Sequence, residues 1–206
     1  GRALVISAGP SLYRQGTLDR IKTSGFDGNI IAIDGSYIQC LKAGITPDYV
    51  LTLDPHPTRM VRWFGDPNLE ENMNGDSYFD RQDLDVGFRN NSAEQNAANI
   101  RLVDENKAKL VICTSAPQNV VERTKMFERF WFAPLVDDPK KPGLTTRIVE
   151  ITGAPALNTG GTVGTAAWAF ALSVLGGKDI AVVGMDLGYS MGTPFQETQT
   201  YNMLKG

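Results

Sequence analysis

The chain has 206 residues, of which 42% are hydrophobic and 21% charged, with a formal net charge of −3. This is ordinary globular composition, long enough for a sizeable buried core, and it argues against disorder. No run of Lys or Arg exceeds two residues, so the electrostatic footprint for a nucleic acid polymer is missing, whereas a mononucleotide, which needs only a few local donors, remains open.

Taken in chain order, short β-branched runs alternate with helical segments, the pattern of βαβ units and a largely parallel sheet. Residues 3–7 (ALVIS) form an apolar strand covered on both faces, followed by the turn Ala8-Gly9-Pro10-Ser11-Leu12 and a helix over 17–23. A second strand over 29–33 ends at Asp34-Gly35, and Ser36 is expected to cap a helix over 37–43 closed by Gly44. A third strand over 49–53 ends at Asp54-Pro55-His56-Pro57, and a short helix is expected within 58–64. Residues 65–91, rich in Asp, Asn and Gly, read as a long irregular insertion of a length that is usually functional.

Beyond it, Ser92 is expected to cap a polar helix reaching residue 106, and residues 109–114 (KLVICT) make a fourth strand. Ser115-Ala116-Pro117 starts another helix. A short strand over 129–133, a loop over 136–143 and a helix over 144–152 follow. The run from Asn158 to Thr165 (NTGGTVGT) opens a helix over 166–175, closed by Gly176-Gly177, and a last strand over 179–183 ends in Gly184-Met185-Asp186-Leu187. One domain over 1–206 with an insertion at about 65–107 fits this order.

Cys40 and Cys113 sit in apolar runs with no CxxC or His-rich neighbour and read as reduced core residues. The longest apolar stretch, 166–175, is too short to span a membrane, and no basic segment or apolar core of a signal peptide opens the chain. A cytoplasmic location is the expectation. Of the aromatics, Trp63, Phe64, Trp131 and Phe132 are expected in the core, with a pocket wall as the other reading for Trp63.

Three features carry chemistry. A strand that ends in Gly9-Pro10-Ser11 leaves amides and a hydroxyl at the mouth of a sheet, where open α/β folds bind ligands; Ser11 could equally be a plain helix cap. The motif is neither a Walker A loop nor GxGxxG. Asn158, Thr159, Gly160, Gly161 and Thr162 offer donors around a turn with no bulky side chains, suited to a phosphate or sugar, or else to close packing of a small-residue helix. The acids Asp34, Asp54 and Asp186 each follow an apolar strand, so they should gather on one edge, where carboxylates suit Mg²⁺ or ribose hydroxyls. The alternative for each is a turn or a helix cap. His56, the only histidine, could act as a general base or be an exposed loop residue.

The ordered set Ser7-Ala8-Gly9-Pro10-Ser11-Leu12, Ile33-Asp34-Gly35, 44–49 (GITPDY), Leu53-Asp54-Pro55, 160–164 (GGTVG) and 183–187 (VGMDL) resembles the domain shared by flagellar motility-accessory-factor (Maf) glycosyltransferases and the archaeal MptE-type 6-hydroxymethylpterin diphosphokinases. Its Gly-Pro-Ser-Leu turn is similar to that of bacterial sialyltransferases that use CMP-sialic acid. The resemblance implies a Rossmann-like fold, with Gly9, Pro10 and Ser11 near nucleotide phosphates and with Asp34, Gly35 and Asp54 near the ribose or a Mg²⁺ ion. It places residues 158–161 beside the donor and Asp186 at the same edge. His56 has no counterpart in the sialyltransferase catalytic histidine, and residues 65–91 have none at all.

Three functions follow as expectations. The first is glycosyl transfer from a CMP-activated nonulosonic-acid-type donor, with His56, Asp54 or Asp186 acting on the acceptor hydroxyl. The second is a diphosphokinase in which Mg²⁺ on Asp54 and Asp186 organises ATP. The third is a non-catalytic nucleotide or sugar-phosphate binding module. A triphosphate asks for more cations than the first turn offers, where Arg2 and Arg14 are expected to be the only ones close by.

Overall fold

The apolar runs pair side by side into a seven-stranded sheet in which every named pairing is parallel. The computed structural model describes residues 1–13, 16–53, 60–69, 71, 94–138, 140–189 and 191–195. The strands are β1 (Arg2–Ile6), β2 (Asn29–Ile33), β3 (Tyr49–Thr52), β4 (Lys109–Cys113), β5 (Arg129–Leu135), β6 (Ala156–Asn158) and β7 (Asp179–Val183), in spatial order β6-β5-β4-β3-β2-β1-β7. Among the described residues the helices are α1 (Thr17–Thr23), α2 (Asp34–Lys42), α3 (Met60–Trp63), α4 (Asn96–Glu105), α5 (Gln118–Arg123), α6 (Leu144–Thr152) and α7 (Val163–Ser173), with a single 3₁₀ turn at Pro10–Leu12.

Strand alternation divides the core into two layers, because successive side chains leave a strand on opposite faces. Leu4 and Ile6 join Tyr37, Ile38, Cys40, Phe64, Leu110 and Ile112 under α2 and its neighbours. Ala3 and Val5 join Ile31, Ile33, Val111 and Phe132 beneath α7. This is the α/β, Rossmann-like architecture that the alternating pattern predicts. The small residues Gly164, Ala166, Ala167 and Ala171 on the buried face of α7 let that helix lie close to the sheet. Full burial of Phe170 on the same face adds about 1.5–3 kcal/mol.

Element positions differ from the sequence reading where local signals compete. Helix α2 begins at Asp34 rather than after Ser36. Ser36 is buried and donates its hydroxyl to Ile6 O at 2.6 Å, so it ties the helix to β1 instead of capping it. Helix α7 begins at Val163, three residues before the apolar run, because the side chain of Thr162 caps it. Strand β6 escapes a periodicity reading since it has only three residues. Strand β5 runs to Leu135 through Pro134, which is tolerated there because pairing with β4 has ended at Phe132. Phe64 and Phe132 are buried as expected, whereas Trp131 is 39% exposed, with Arg129 over its ring. Both cysteines are buried and reduced, and burial pushes the Cys40 thiol up to about 12. No helix among the described residues is long and apolar enough to cross a membrane.

Candidate functional site

The chain builds β1 to β6 in one direction across the sheet and then returns along α7 to place β7 on the far side of β1. The carboxyl ends of β1 and β7 therefore meet where the winding reverses, the position at which open parallel sheets bind ligands. The two ends are laced together: Ser7 N donates to Val183 O at 2.9 Å, Gly9 N to Gly184 O at 2.7 Å, and Ser11 N to Asp186 Oδ2 at 2.7 Å. Leu12 N returns to Gly9 O, and Pro10 has no N–H to give. In this arrangement a carboxylate of the protein's own occupies the anion position at the first turn.

The glycines here have different reasons to be glycine. A Cβ on Gly9 would lie 2.5 Å from both Asp186 Oδ2 and Gly184 O, and one on Gly184 would lie 2.4 Å from Ser7 O. These two permit the strand ends to touch. Gly164 packs against Ser7 Oγ and the Met185 methyl, where a Cβ would be 2.7 and 2.9 Å away. Gly161, at φ +91°, has open space where its Cβ would be.

That turn leads into the N-terminus of α7. Asn158 Oδ1 accepts the Gly160 N–H at 3.0 Å, and Thr159 is buried. Thr162 and Thr165 form a reciprocal capping box, Thr165 N donating to Thr162 Oγ1 at 3.1 Å and Thr162 N to Thr165 Oγ1 at 3.0 Å. The box satisfies the third helical donor, so Val163 and Gly164, the first two positions, keep N–H groups with no acceptor inside the helix. Close by, the Ser7 hydroxyl is buried with no hydrogen-bond partner.

Of the strand-end acids, Asp34 and Asp186 bond different neighbours. Asp34 is buried; its Oδ1 accepts the Gly35 N–H and its Oδ2 the Thr52 hydroxyl, at 2.7 and 2.6 Å. Its carboxylate thus faces β3, while that of Asp186 faces the turn after β1. Gly35 sits against Ala8, where a Cβ would be 3.1 Å from the Ala8 Cβ. Asp54 and His56 lie outside the described residues, as do Arg14 and most of the 65–91 segment. Arg2 requires a correction: it stands at the start of β1, at the opposite edge from Ser11, and pairs with Asp27 at 3.3 Å. A parallel strand five residues long separates its two ends, so proximity in sequence misled.

The reversal point opens into a cleft of about 630 Å³ lined by Ser11, Thr17, Thr165, Trp168, Met185, Asp186 and Val182 to Gly184. Thr17 Oγ1 donates to Ser11 O at 3.2 Å and holds the first turn against α1. Ser11 and Thr165, in the first turn of α7, therefore border one hollow, whose lining does not include residues 158–162. Thr165 and Met185 fall within motifs read from the sequence, without a role of their own, and Trp168 was not singled out. Trp168 was legible in principle, since it is the first bulky residue of a helix that opens on small side chains and stands off its alanine face.

Residues 1–72 match the family model described as 6-hydroxymethylpterin diphosphokinase MptE-like. The fold is similar to that of a Maf glycosyltransferase from Magnetospirillum magneticum AMB-1, with a TM-score of 0.55 and 18% identity, covering 94% of this chain and 24% of that one. The chain thus spans about a quarter of that structure's length. No curated protein matches significantly. The N-terminal third of the chain matches the MptE-like family, and the chain as a whole shares the fold of a Maf glycosyltransferase, as the ordered motifs had indicated.

Proposed function

We propose that the chain is the nucleotide-binding part of a transferase, and that it moves a sugar of the nonulosonic-acid type from a CMP-activated donor to an acceptor hydroxyl. The observation that carries this reading is the chemistry of the cleft: several hydroxyls and an acidic side chain, with no Lys or Arg among its described lining residues, next to the first turn of α7, whose Val163 and Gly164 N–H groups have no acceptor inside the helix. Such a set favours one phosphate over a triphosphate, whose charge would demand more cations. The fold shared with a Maf glycosyltransferase supports the same class.

In this reading the leaving CMP phosphate is received by the α7 amides of Val163 and Gly164 beside Gly160 and Gly161, where developing negative charge is stabilised without reorganisation. Asn158, Thr159 and Thr162 hold the turn in shape. Gly9, Pro10 and Ser11 form the opposing wall, and Asp34 with Gly35 fixes the β2 end. Asp54, His56 and Asp186 are the candidate groups for accepting the acceptor's proton.

The MptE-like match over residues 1–72 favours a second reading, diphosphoryl transfer from ATP to a hydroxymethylpterin. Asp186 supplies a hard carboxylate oxygen at the cleft, a donor type that Mg²⁺ takes, and Asp54 would be its partner. Mg²⁺ would there neutralise the phosphates.

A thermal-shift series with CMP, CDP, UDP, GDP, ATP and AMP, with and without Mg²⁺, separates the two. Stabilisation by CMP without metal dependence supports glycosyl transfer, and stabilisation by ATP with Mg²⁺ alone supports the diphosphokinase. No shift with any of them overturns both.

A further inference from the structure

We infer that Trp168 is a stacking platform for the flat heteroaromatic ring of the ligand, which makes the cleft specific for a nucleoside phosphate rather than a sugar phosphate. The inference rests on the nucleotide reading above and adds the subsite that reading lacks.

Trp168 lies on α7, one turn beyond Thr165, and lines the cleft beside it. Ala166, Ala167, Phe170 and Ala171 take the sheet-facing positions, and Trp168 is left 42% exposed. Exposure of a large ring on a helix whose other face is buried calls for a reason, and the ring lines the cleft with Thr165 and Asp186. Helical side chains lean toward the N-terminus, so the indole tilts to the end that carries the unpaired amides.

The axial distance from Gly164 to Trp168 is about 6 Å at 1.5 Å per residue. One ribose separates phosphate from base in a nucleoside 5′-phosphate, so a ligand held at the α7 amides can lay its ring against the indole. The phosphate corner has a mark of its own besides the helix end: the buried Ser7 hydroxyl, lacking any partner, packs against Gly164. Val182, Val183 and Met185 supply apolar walls beside the ring. A sugar phosphate would fill the amide corner but leave the indole without a partner.

Calorimetric titration of the wild type, Trp168→Phe and Trp168→Ala with CMP and with ribose 5-phosphate tests this. Loss of a base–aromatic stack is expected to weaken CMP binding to Trp168→Ala by roughly five- to a hundredfold. Trp168→Phe should stay within about threefold of the wild type, because a ring remains, and ribose 5-phosphate should bind all three alike. Unchanged CMP affinity in Trp168→Ala overturns the inference while leaving the nucleotide reading intact. So does an equal loss for ribose 5-phosphate, which would assign Trp168 a structural role. Failure of the wild type to bind CMP overturns both. Should Trp168→Ala fold poorly, a Trp63→Phe, Trp131→Phe double variant leaves Trp168 as the only indole. Its fluorescence must then be quenched by CMP and not by ribose 5-phosphate, and the absence of quenching sinks the idea.

Discussion

The carboxylate of Asp186 accepts the backbone N–H of Ser11 at 2.7 Å, joining two turns that lie 175 positions apart in the chain. A charged acceptor on a backbone donor strengthens the bond, and solvent at this exposed site weakens it again. Asp186→Ala is expected to cost about 1–2 kcal/mol and Asp186→Asn about half of that. At this chain length each kcal/mol corresponds to a fall of roughly 2–4 °C in Tm. Differential scanning calorimetry of the two variants checks the order.

The glycines near the cleft should divide sharply by mechanism. Gly184→Ala drives a Cβ to 2.4 Å from Ser7 O at a residue with φ +69°, combining collision with left-handed backbone strain. Gly161→Ala meets no atom within 4 Å and carries the φ strain alone. Urea unfolding is expected to show a loss of about 3 kcal/mol or more for the first and about 1–2 kcal/mol for the second.

Ser7 presents the opposite case, a buried hydroxyl without a partner. Removing an unsatisfied polar group relieves its desolvation cost, so Ser7→Ala should leave stability unchanged or raise it by about 1 kcal/mol. If the hydroxyl serves a bound phosphate, the same variant binds CMP more weakly than the wild type. A stability gain paired with an affinity loss, read by melting and calorimetry, is the expected signature.

How much of this was legible in the sequence follows from the range of the forces involved. The apolar runs that became β1, β2 and β4 were read to within a residue or two, since a strand buried on both faces must be continuously apolar, and the run that became β7 was read as well although that edge strand is largely exposed. The same edge of the sheet was read for Ser11, Gly161 and Asp186. Their pairwise partners were not. That Asp34 bonds Thr52 while Asp186 bonds Ser11 depends on the spatial order of strands, and the reversal that seats β7 beside β1 leaves no local mark. Ser36 illustrates the same limit, because a serine two residues into a helix reads as a cap until β1 is seen beneath it.

The 136–143 loop carries an acid-sensitive contact far from the cleft. Asp137 Oδ2 accepts the N–H groups of Thr146 at 2.6 Å and Gly143 at 3.0 Å, at the start of α6. The Thr146 N–H is the main reason its carboxyl is held below the ordinary value of 3.8. A group whose folded pKa is depressed contributes stability above its unfolded value and loses it as pH falls through the folded one. Melting curves from about pH 5 to about pH 2 should therefore fall less steeply for Asp137→Asn than for the wild type.

The central claim is that a CMP-type nucleotide binds where β1 and β7 meet. Titration of the ¹⁵N-labelled chain with CMP, followed by amide and indole resonances, tests it most directly. Saturable shifts are predicted at Ser11, at residues 161–165 and at the Trp168 indole, with the far edge around Gly1 and Lys178 unmoved. No saturable shift, or shifts confined to that far edge, would contradict the account.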